Sequence, residues 1–354
     1  MRNQKYAPIL FFMGGFIFDT LTLGRIDRLY DTLVLCSHMV LLSLTIYLFN
    51  LAGDSRWQNT FIGRYSIYFP LAIQFFFGAL SSAFVIYFFR SVSFSKTLVF
   101  FILLVLLLFA NEFLRKKISN KYLQFSIYFF ISFTFFAFMI PTLIKVMNTF
   151  VFIISGIVSL GSTLALIKFT YHSSPSTRAE LSLNKLISII LAIYVGINVF
   201  YVFNLIPPVP LALETGLVAH DVRKNNDQYI VTYEKEDWYI FWRKHQATFH
   251  RQAGERVYVF TSVFAPTDIK KSIIHRWQRY NPQTGSWEII DDIGFNVTGG
   301  RDTGYRGYTF KRNLTEGKWK VHIITEEELI LGVVDFVIKN TSDPPKEGMV
   351  KEVH

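Results

Sequence analysis

Apolar residues run with few interruptions through the first 206 positions, then give way to short stretches in which apolar and polar residues alternate. Crossing about 30 Å of hydrocarbon takes about 20 mostly apolar residues in a helix. Seven segments approach that length: 6–23, 32–51, 66–89, 97–113, 123–144, 148–169 and 185–206. Lipid offers backbone groups no hydrogen-bond partner, so continuous apolar runs of this length predict helices. The fifth and sixth are separated only by Lys145, Val146 and Met147, with Pro141 just before, which predicts a tight helical hairpin. The opening MRNQKYAPILFFMGGFIF lacks a small-residue cleavage site and reads as a retained first span.

Ile206, Pro207, Pro208, Val209 and Pro210 stop the last helix, because proline removes an amide donor and restricts its predecessor. Eight β-type runs follow: QYIVTYE (228–234), WYIFWR (238–243), RVYVFTSVF (256–264), SIIHRWQRY (272–280), WEIIDDIGFNV (287–297), YRGYTF (305–310), KWKVHII (318–324) and LILGVVDFVI (329–338). NPQTGS, TGGRDTG and NLTEG punctuate them as turns. The expected architecture is a membrane all-α bundle of about seven helices over 1–208, then an all-β, immunoglobulin-like antiparallel sandwich over 209–340. Residues 341–354, polar and carrying paired prolines, read as a flexible tail.

Charge sharpens this division. Residues 1–208 hold 16 Lys and Arg against 6 Asp and Glu, and residues 209–354 hold 20 against 20, so the net charge of +10 belongs to the apolar part. Nucleic-acid binding would call for a basic face on the soluble part and is set aside. Basic residues in short loops instead mark the cytoplasmic side. With the N-terminus inside, that side holds Arg2, Lys5, Arg56, Arg64, Arg115, Lys116, Lys117, Lys121, Lys168, Arg178 and Lys185, and the other holds Arg25, Arg28, Arg90, Lys96 and Lys145. An odd number of spans then places the C-terminal domain outside. The single cysteine, Cys36, lies in an apolar run and can build neither an intrachain disulfide nor a cysteine-based metal site.

Ionisable groups in or beside spans are costly and often functional. Asp19, Arg25, Asp27 and Arg28, with Asp31, alternate in sign between the first two spans, and Glu112 stands one turn from Arg115 and Lys116. Both patterns suit interfacial ion pairs, or a polar path through a transporter. His38 and His172 have no matching partner pattern for a metal, no HExxH, GxSxG or phosphate-gripping loop occurs, and no catalytic residue or cofactor is expected. In the soluble part the densest chemistry is HRWQRY (275–280), then Trp287 and GGRDTGYRGYTF (299–310). Alternation sets Ile274, Arg276 and Gln278 on one strand face and His275, Trp277 and Arg279 on the other. Arg276, Trp277, Arg301, Tyr305 and Arg306 are the candidate ligand-binding residues, of types that recognise anionic or sugar-like groups. The competing expectation is that Trp277, Trp287 and Trp319 pack between sheets.

The HRW strand (His275, Arg276, Trp277), the Gly-Gly-Arg and Tyr-Arg-Gly-Tyr turn (Gly299, Gly300, Arg301 and 305–308) and the GKW strand (Gly317, Lys318, Trp319) resemble a bacterial family of unknown function whose C-terminal domain often follows membrane helices. The likeness covers about 85 residues directly. It implies a protein of the bacterial cytoplasmic membrane with a β-sandwich domain, and it implies no reaction. The expectation is a membrane-anchored extracytoplasmic module that binds or senses an envelope polymer, lipid or protein. A transporter or channel, and a membrane-embedded enzyme acting on lipid or envelope precursors, are the alternatives.

Overall fold

The computed structural model describes residues 29–91, 102–106, 119–203, 205–206, 211–226, 228–240, 243–265, 270–298, 305–342 and 348–354. The chain divides into two compact units, the first within residues 1–209 and the second essentially residues 210–354. Among the described residues of the first unit, five helices are long and apolar enough to cross a membrane. They are α1 (Leu29–Ala52), α2 (Phe69–Ser91), α3 (Lys121–Ile144), α4 (Thr149–Ser173) and, after the short α5 (Pro175–Glu180), α6 (Leu183–Val202). The expectation of seven is corrected to these five: segment 6–23 lies outside the described residues, as does 97–113 apart from a helical stretch at 102–106.

Local chemistry sets the helix ends. Asn120, Asn148 and Ser174 cap α3, α4 and α5, accepting from the backbone amides of Leu123, Val151 and Thr177 at 3.2, 2.9 and 3.2 Å. Lys145 takes the left-handed conformation (φ 57°) that ends α3, so the expected tight hairpin forms. Close packing relies on a small residue: a Cβ on Gly156 of α4 would come within 2.8 Å of Phe133 and 2.9 Å of Tyr194.

Side-chain bonds fix which ends lie together. The end of α1 meets the start of α3, where Asn50 Nδ2 donates to Gln124 Oε1 (2.9 Å), and the end of α4, where Tyr47 donates to Ser173 Oγ (3.0 Å). The start of α6 is there too, since the Ser182 amide donates to the Tyr122 hydroxyl (2.8 Å). At the far end, Tyr87 near the end of α2 donates to Asp31 (3.3 Å), and Tyr201 of α6 stacks on Phe152 of α4 at 3.9 Å. Arg56, Arg64, Lys121, Lys168, Arg178 and Lys185 belong to the first end, and Arg90 and Lys145 to the other, from which α6 leads toward the second unit.

The second unit is a β-sandwich of three layered sheets. Its strands are β1 (Ala212–Ala219), β2 (Asp221–Asn225), β3 (Gln228–Glu234), β4 (Thr248–Arg251), β5 (Val257–Phe264), β6 (Lys270–Asn281), β7 (Ser286–Thr298), β8 (Tyr305–Lys311), β9 (Gly317–Thr325), β10 (Ile330–Asn340) and β11 (Met349–Val353). The sheets run β4-β10-β9-β6-β7, β1-β5-β8 and β11-β3-β2. The β1-β5-β8 sheet is central. On one side Trp277 and His275 of β6 reach Thr309 of β8 and Thr261 of β5; on the other Phe260 joins Leu217, Val222, Val231 and Tyr233 in a core with the third sheet.

Three expectations change. β4 pairs with β10 in parallel, so the sandwich is not purely antiparallel. WYIFWR is not a strand where described: residues 238–240 form a turn with Trp238 91% exposed. The expected flexible tail contains β11, which pairs with β3 from Met349↔Glu234 to Val353↔Ile230, so backbone bonds hold a polar segment in place.

Between the layers, Trp277 Nε1 and His275 Nδ1 share one hydroxyl, Thr309 Oγ1, at 3.1 and 2.9 Å. Thr309→Val keeps the shape but strands both groups, and is expected to cost about 1–3 kcal/mol. Chemical unfolding of the full chain in detergent, followed by tryptophan fluorescence, checks this.

Candidate functional site

The sandwich separates the candidate binding residues. Trp277 is 0% exposed and donates to Thr309 across the layers, so it is corrected from surface residue to core. The same pairing turns odd-numbered residues of β6 inward and leaves Arg276 on the outer face of the five-stranded sheet. On β8, Gly307 and Thr309 face inward, since a Cβ on Gly307 would come within 2.4 Å of Phe295, and Arg306 points to the opposite side of the sandwich. Tyr305 is half-buried at the start of β8. Arg301, with Asp19, Arg25, Asp27, Arg28 and Glu112 of the expected polar cluster, lies outside the described residues. The four described candidates therefore do not form one surface.

Arg276 is also occupied. Its Nε donates to Asp292 Oδ1 (2.9 Å), its Nη2 to Asp292 Oδ2 (2.8 Å) and Glu328 Oε1 (2.8 Å), and its Nη1 to Glu328 Oε2 (2.5 Å). An anionic ligand would have to displace two carboxylates from this forked group. Arg276 is better placed to fix β6, β7 and the turn before β10 than to bind.

The outer face beside it has a different character. Register sets Trp287 of β7 opposite Tyr280 of β6, and Ile289 opposite Gln278, which in turn stands opposite Lys320 of β9. Directly opposed residues project to the same face. Tyr280 and Trp287 meet edge to face at 5.4 Å; Lys320 Nζ lies 4.1 Å from the centre of the Trp287 ring, and Lys318 Nζ 5.6 Å from that of Tyr280. Trp287 is 38% and Ile289 57% exposed. Edge strand β7 thus presents an aromatic and aliphatic strip backed by two ammonium groups. Sequence reading singled out Trp287, with interior packing as the competing expectation; it did not single out Lys318 or Lys320 for binding, which only strand order brings to Trp287 and Tyr280.

A second cluster is buried where the sheets meet. His220, between β1 and β2, bonds Glu255 Oε1 through Nδ1 (2.5 Å) and Glu234 Oε1 through Nε2 (2.9 Å), and its ring stacks on Phe249 at 4.2 Å. His250 of β4 reaches Glu234 Oε2 through Nδ1 (2.7 Å), and its amide donates to Glu234 Oε1 (2.8 Å). Burial alone would lower the pKa of His220, but the bonds and charges of Glu234 and Glu255 outweigh it and raise the value to about 9. Burial would raise that of Glu234, but the bonds from His220 and His250 hold it below the ordinary range. These side chains satisfy one another. Among the described residues no group of three or more His, Cys, Asp or Glu is placed to hold a metal ion.

A family profile described as "Protein of unknown function (DUF2914)" matches residues 270–338, from β6 into β10. This stretch contains the HRW, GGR, YRGY and GKW elements and the outer strip. No curated protein matches the chain. Among solved structures, an immunoglobulin-like protein from Pseudomonas aeruginosa is similar at 6% identity, over 37% of this chain and 98% of that one, with a TM-score of 0.22. A β-glucosidase from Listeria innocua is similar at 10% identity over 35% of this chain and 16% of its own, with a TM-score of 0.19. The alkylpurine DNA glycosylase AlkC from Pseudomonas fluorescens is similar at 9% identity over 89% and 100%, with a TM-score of 0.24. At such scores these likenesses bear on neither the site nor its chemistry.

The buried histidines give stability a defined pH profile. His220, with its pKa raised from 6.5 to about 9, contributes fully below 6.5 and loses its contribution as pH rises through about 9. Glu234 contributes above its ordinary 4.5 and loses its contribution as pH falls through its lowered value. Burial pushes His275 down to about 3, so its site favours the neutral ring and loses stability as pH falls from 6.5 toward 3. His220→Gln is expected to flatten the alkaline limb between pH 6.5 and 9 and to weaken the Glu234 contribution below pH 4.5, while leaving the His275 contribution in place. Urea midpoints across pH, read by tryptophan fluorescence on both proteins, check this.

Proposed function

We propose that this chain is a multi-pass protein of a bacterial cytoplasmic membrane whose sandwich binds an anionic envelope polymer on the extracytoplasmic side. Orientation rests on the two ends of the bundle. Among the described residues, six basic residues (Arg56, Arg64, Lys121, Lys168, Arg178 and Lys185) belong to the end opposite the exit of α6, against Arg90 and Lys145 at the exit end. Basic loops stay in the cytoplasm, which puts the exit of α6 and the domain that follows it outside. This argument does not depend on segment 6–23. The end of α2 and the start of α3 belong to opposite ends, and segment 97–113 has the apolar length for a return crossing.

The observation that carries the binding reading is the strip of Tyr280, Trp287 and Ile289 with Lys318 and Lys320 beside the rings. Aromatic faces offer stacking area to a flat sugar ring, and ammonium groups at the same strip attract carboxylate or phosphate substituents. A glycan chain bearing such substituents offers both.

Full-length protein in nanodiscs, titrated with purified anionic cell-envelope polysaccharide, tests this. Trp287→Ala is expected to weaken binding about tenfold, equivalent to about 1.4 kcal/mol. Lys318→Glu with Lys320→Glu is expected to weaken it further at low salt than at high salt, as charge screening requires. Unchanged affinity in both variants would remove the strip from the binding surface.

A further inference from the structure

We propose that the cytoplasmic end of the helical unit holds a site for a small monovalent cation of the sodium or potassium class, with the Asp54 carboxylate as its charged ligand. The site is independent of the outer strip of the sandwich. Three separate stretches of chain build it: Asn50 and Asp54 at and just beyond the end of α1, Lys121 and Gln124 in the first turn of α3, and Ser174, Ser176 and Thr177 at the α4 to α5 junction.

The cluster is ordered by its own bonds. Ser174 Oγ donates to the Asn50 carbonyl (3.0 Å), Thr177 Oγ1 to Asn50 Oδ1 (3.3 Å), the Ser176 amide to Asp54 Oδ1 (2.7 Å), and Asn50 Nδ2 to Gln124 Oε1 (2.9 Å). Ser174 and Ser176 hydroxyls lie 3.1 Å apart. Asn50, Asp54, Gln124, Ser174 and Thr177 are each more than nine-tenths buried.

Two atoms at this site have no protein partner: Asp54 Oδ2 and Gln124 Nε2. Leaving a buried charged oxygen unpaired is expensive, so such atoms are met by water or ions. Lys121 does not close the gap, because its Nζ donates to Thr177 Oγ1 (2.8 Å) and pairs with Glu180 (3.4 Å). Burial would raise the Asp54 pKa, but the Ser174 and Ser176 hydroxyl dipoles, the Ser176 amide bond and the charge of Lys121 lower it, so the group is a carboxylate at neutral pH.

The chemistry selects the ion. Carboxylate, hydroxyl and carbonyl oxygens are hard donors that suit alkali and alkaline-earth cations rather than transition metals. One carboxylate with Lys121 close by leaves too little negative charge for a divalent ion. A water on the cation would accept from Gln124 Nε2 and satisfy the second orphan as well.

The experiment is thermal unfolding of full-length protein in detergent, followed by circular dichroism, in sodium, potassium and choline chloride at equal ionic strength, with 22Na binding measured alongside. Expected are a saturable rise in Tm with sodium or potassium over choline and one bound ion per chain. Asp54→Asn is expected to abolish both, and Ser176→Ala, which leaves the Asp54 to amide bond in place, to weaken the apparent affinity severalfold. Equal Tm in all three salts with no bound 22Na, or cation dependence that survives Asp54→Asn in a folded protein, would overturn the proposal.

Discussion

The hydrogen bond from Asn50 Nδ2 to Gln124 Oε1 does more to define this molecule than its length suggests. It joins the end of one apolar helix to the beginning of another, inside a unit whose surface is largely apolar. Buried amides need hydrogen-bond partners, and here each supplies one to the other. Once α1 and α3 meet there, and Ser173, Ser174 and Tyr122 bring in α4 and α6, the bundle has a defined basic end and a defined exit end. Lys and Arg loop asymmetry then becomes a statement about where the sandwich resides.

Within the sandwich, the most conspicuous cation is already occupied by carboxylates. Arg276 sits between Asp292 and Glu328 with its fork filled, while Lys318 and Lys320, at lone positions in an unremarkable strand, approach Tyr280 and Trp287. A guanidinium that bridges strands and ammonium groups that lie over aromatic rings are different tools. The interface between the central and five-stranded sheets buries Thr261, His275 and Thr309, whose polar groups are met across the layers.

Much of the architecture was legible because it follows from periodicity. Five of the seven long apolar runs are helices among the described residues, and seven of the eight expected strands formed, from β3 and β5 through β10. Alternation correctly set Trp277 and His275 on one face. What it could not say is which face is inside, since both faces of HRWQRY carry aromatic or cationic groups. β11 was invisible because MVKEV is polar and is held by pairing with β3, more than 100 residues away. β2 and β4 are short and mixed, and WYIFWR has the composition of a strand without a partner. The buried cluster around Asp54 was equally hidden: asparagine, glutamine and serine scattered over more than 120 residues carry no local pattern.

The claim on which the account rests is that the strip on β7 and β9 faces away from the cytoplasm while the basic end of the bundle faces into it. Single cysteines at Lys318→Cys and at Arg56→Cys, each in a Cys36→Ala background, can be probed on intact bacterial cells with a membrane-impermeant maleimide. The account requires Lys318→Cys to label without lysis and Arg56→Cys only after it. Labelling of Arg56→Cys in intact cells, with Lys318→Cys protected until lysis, would contradict it.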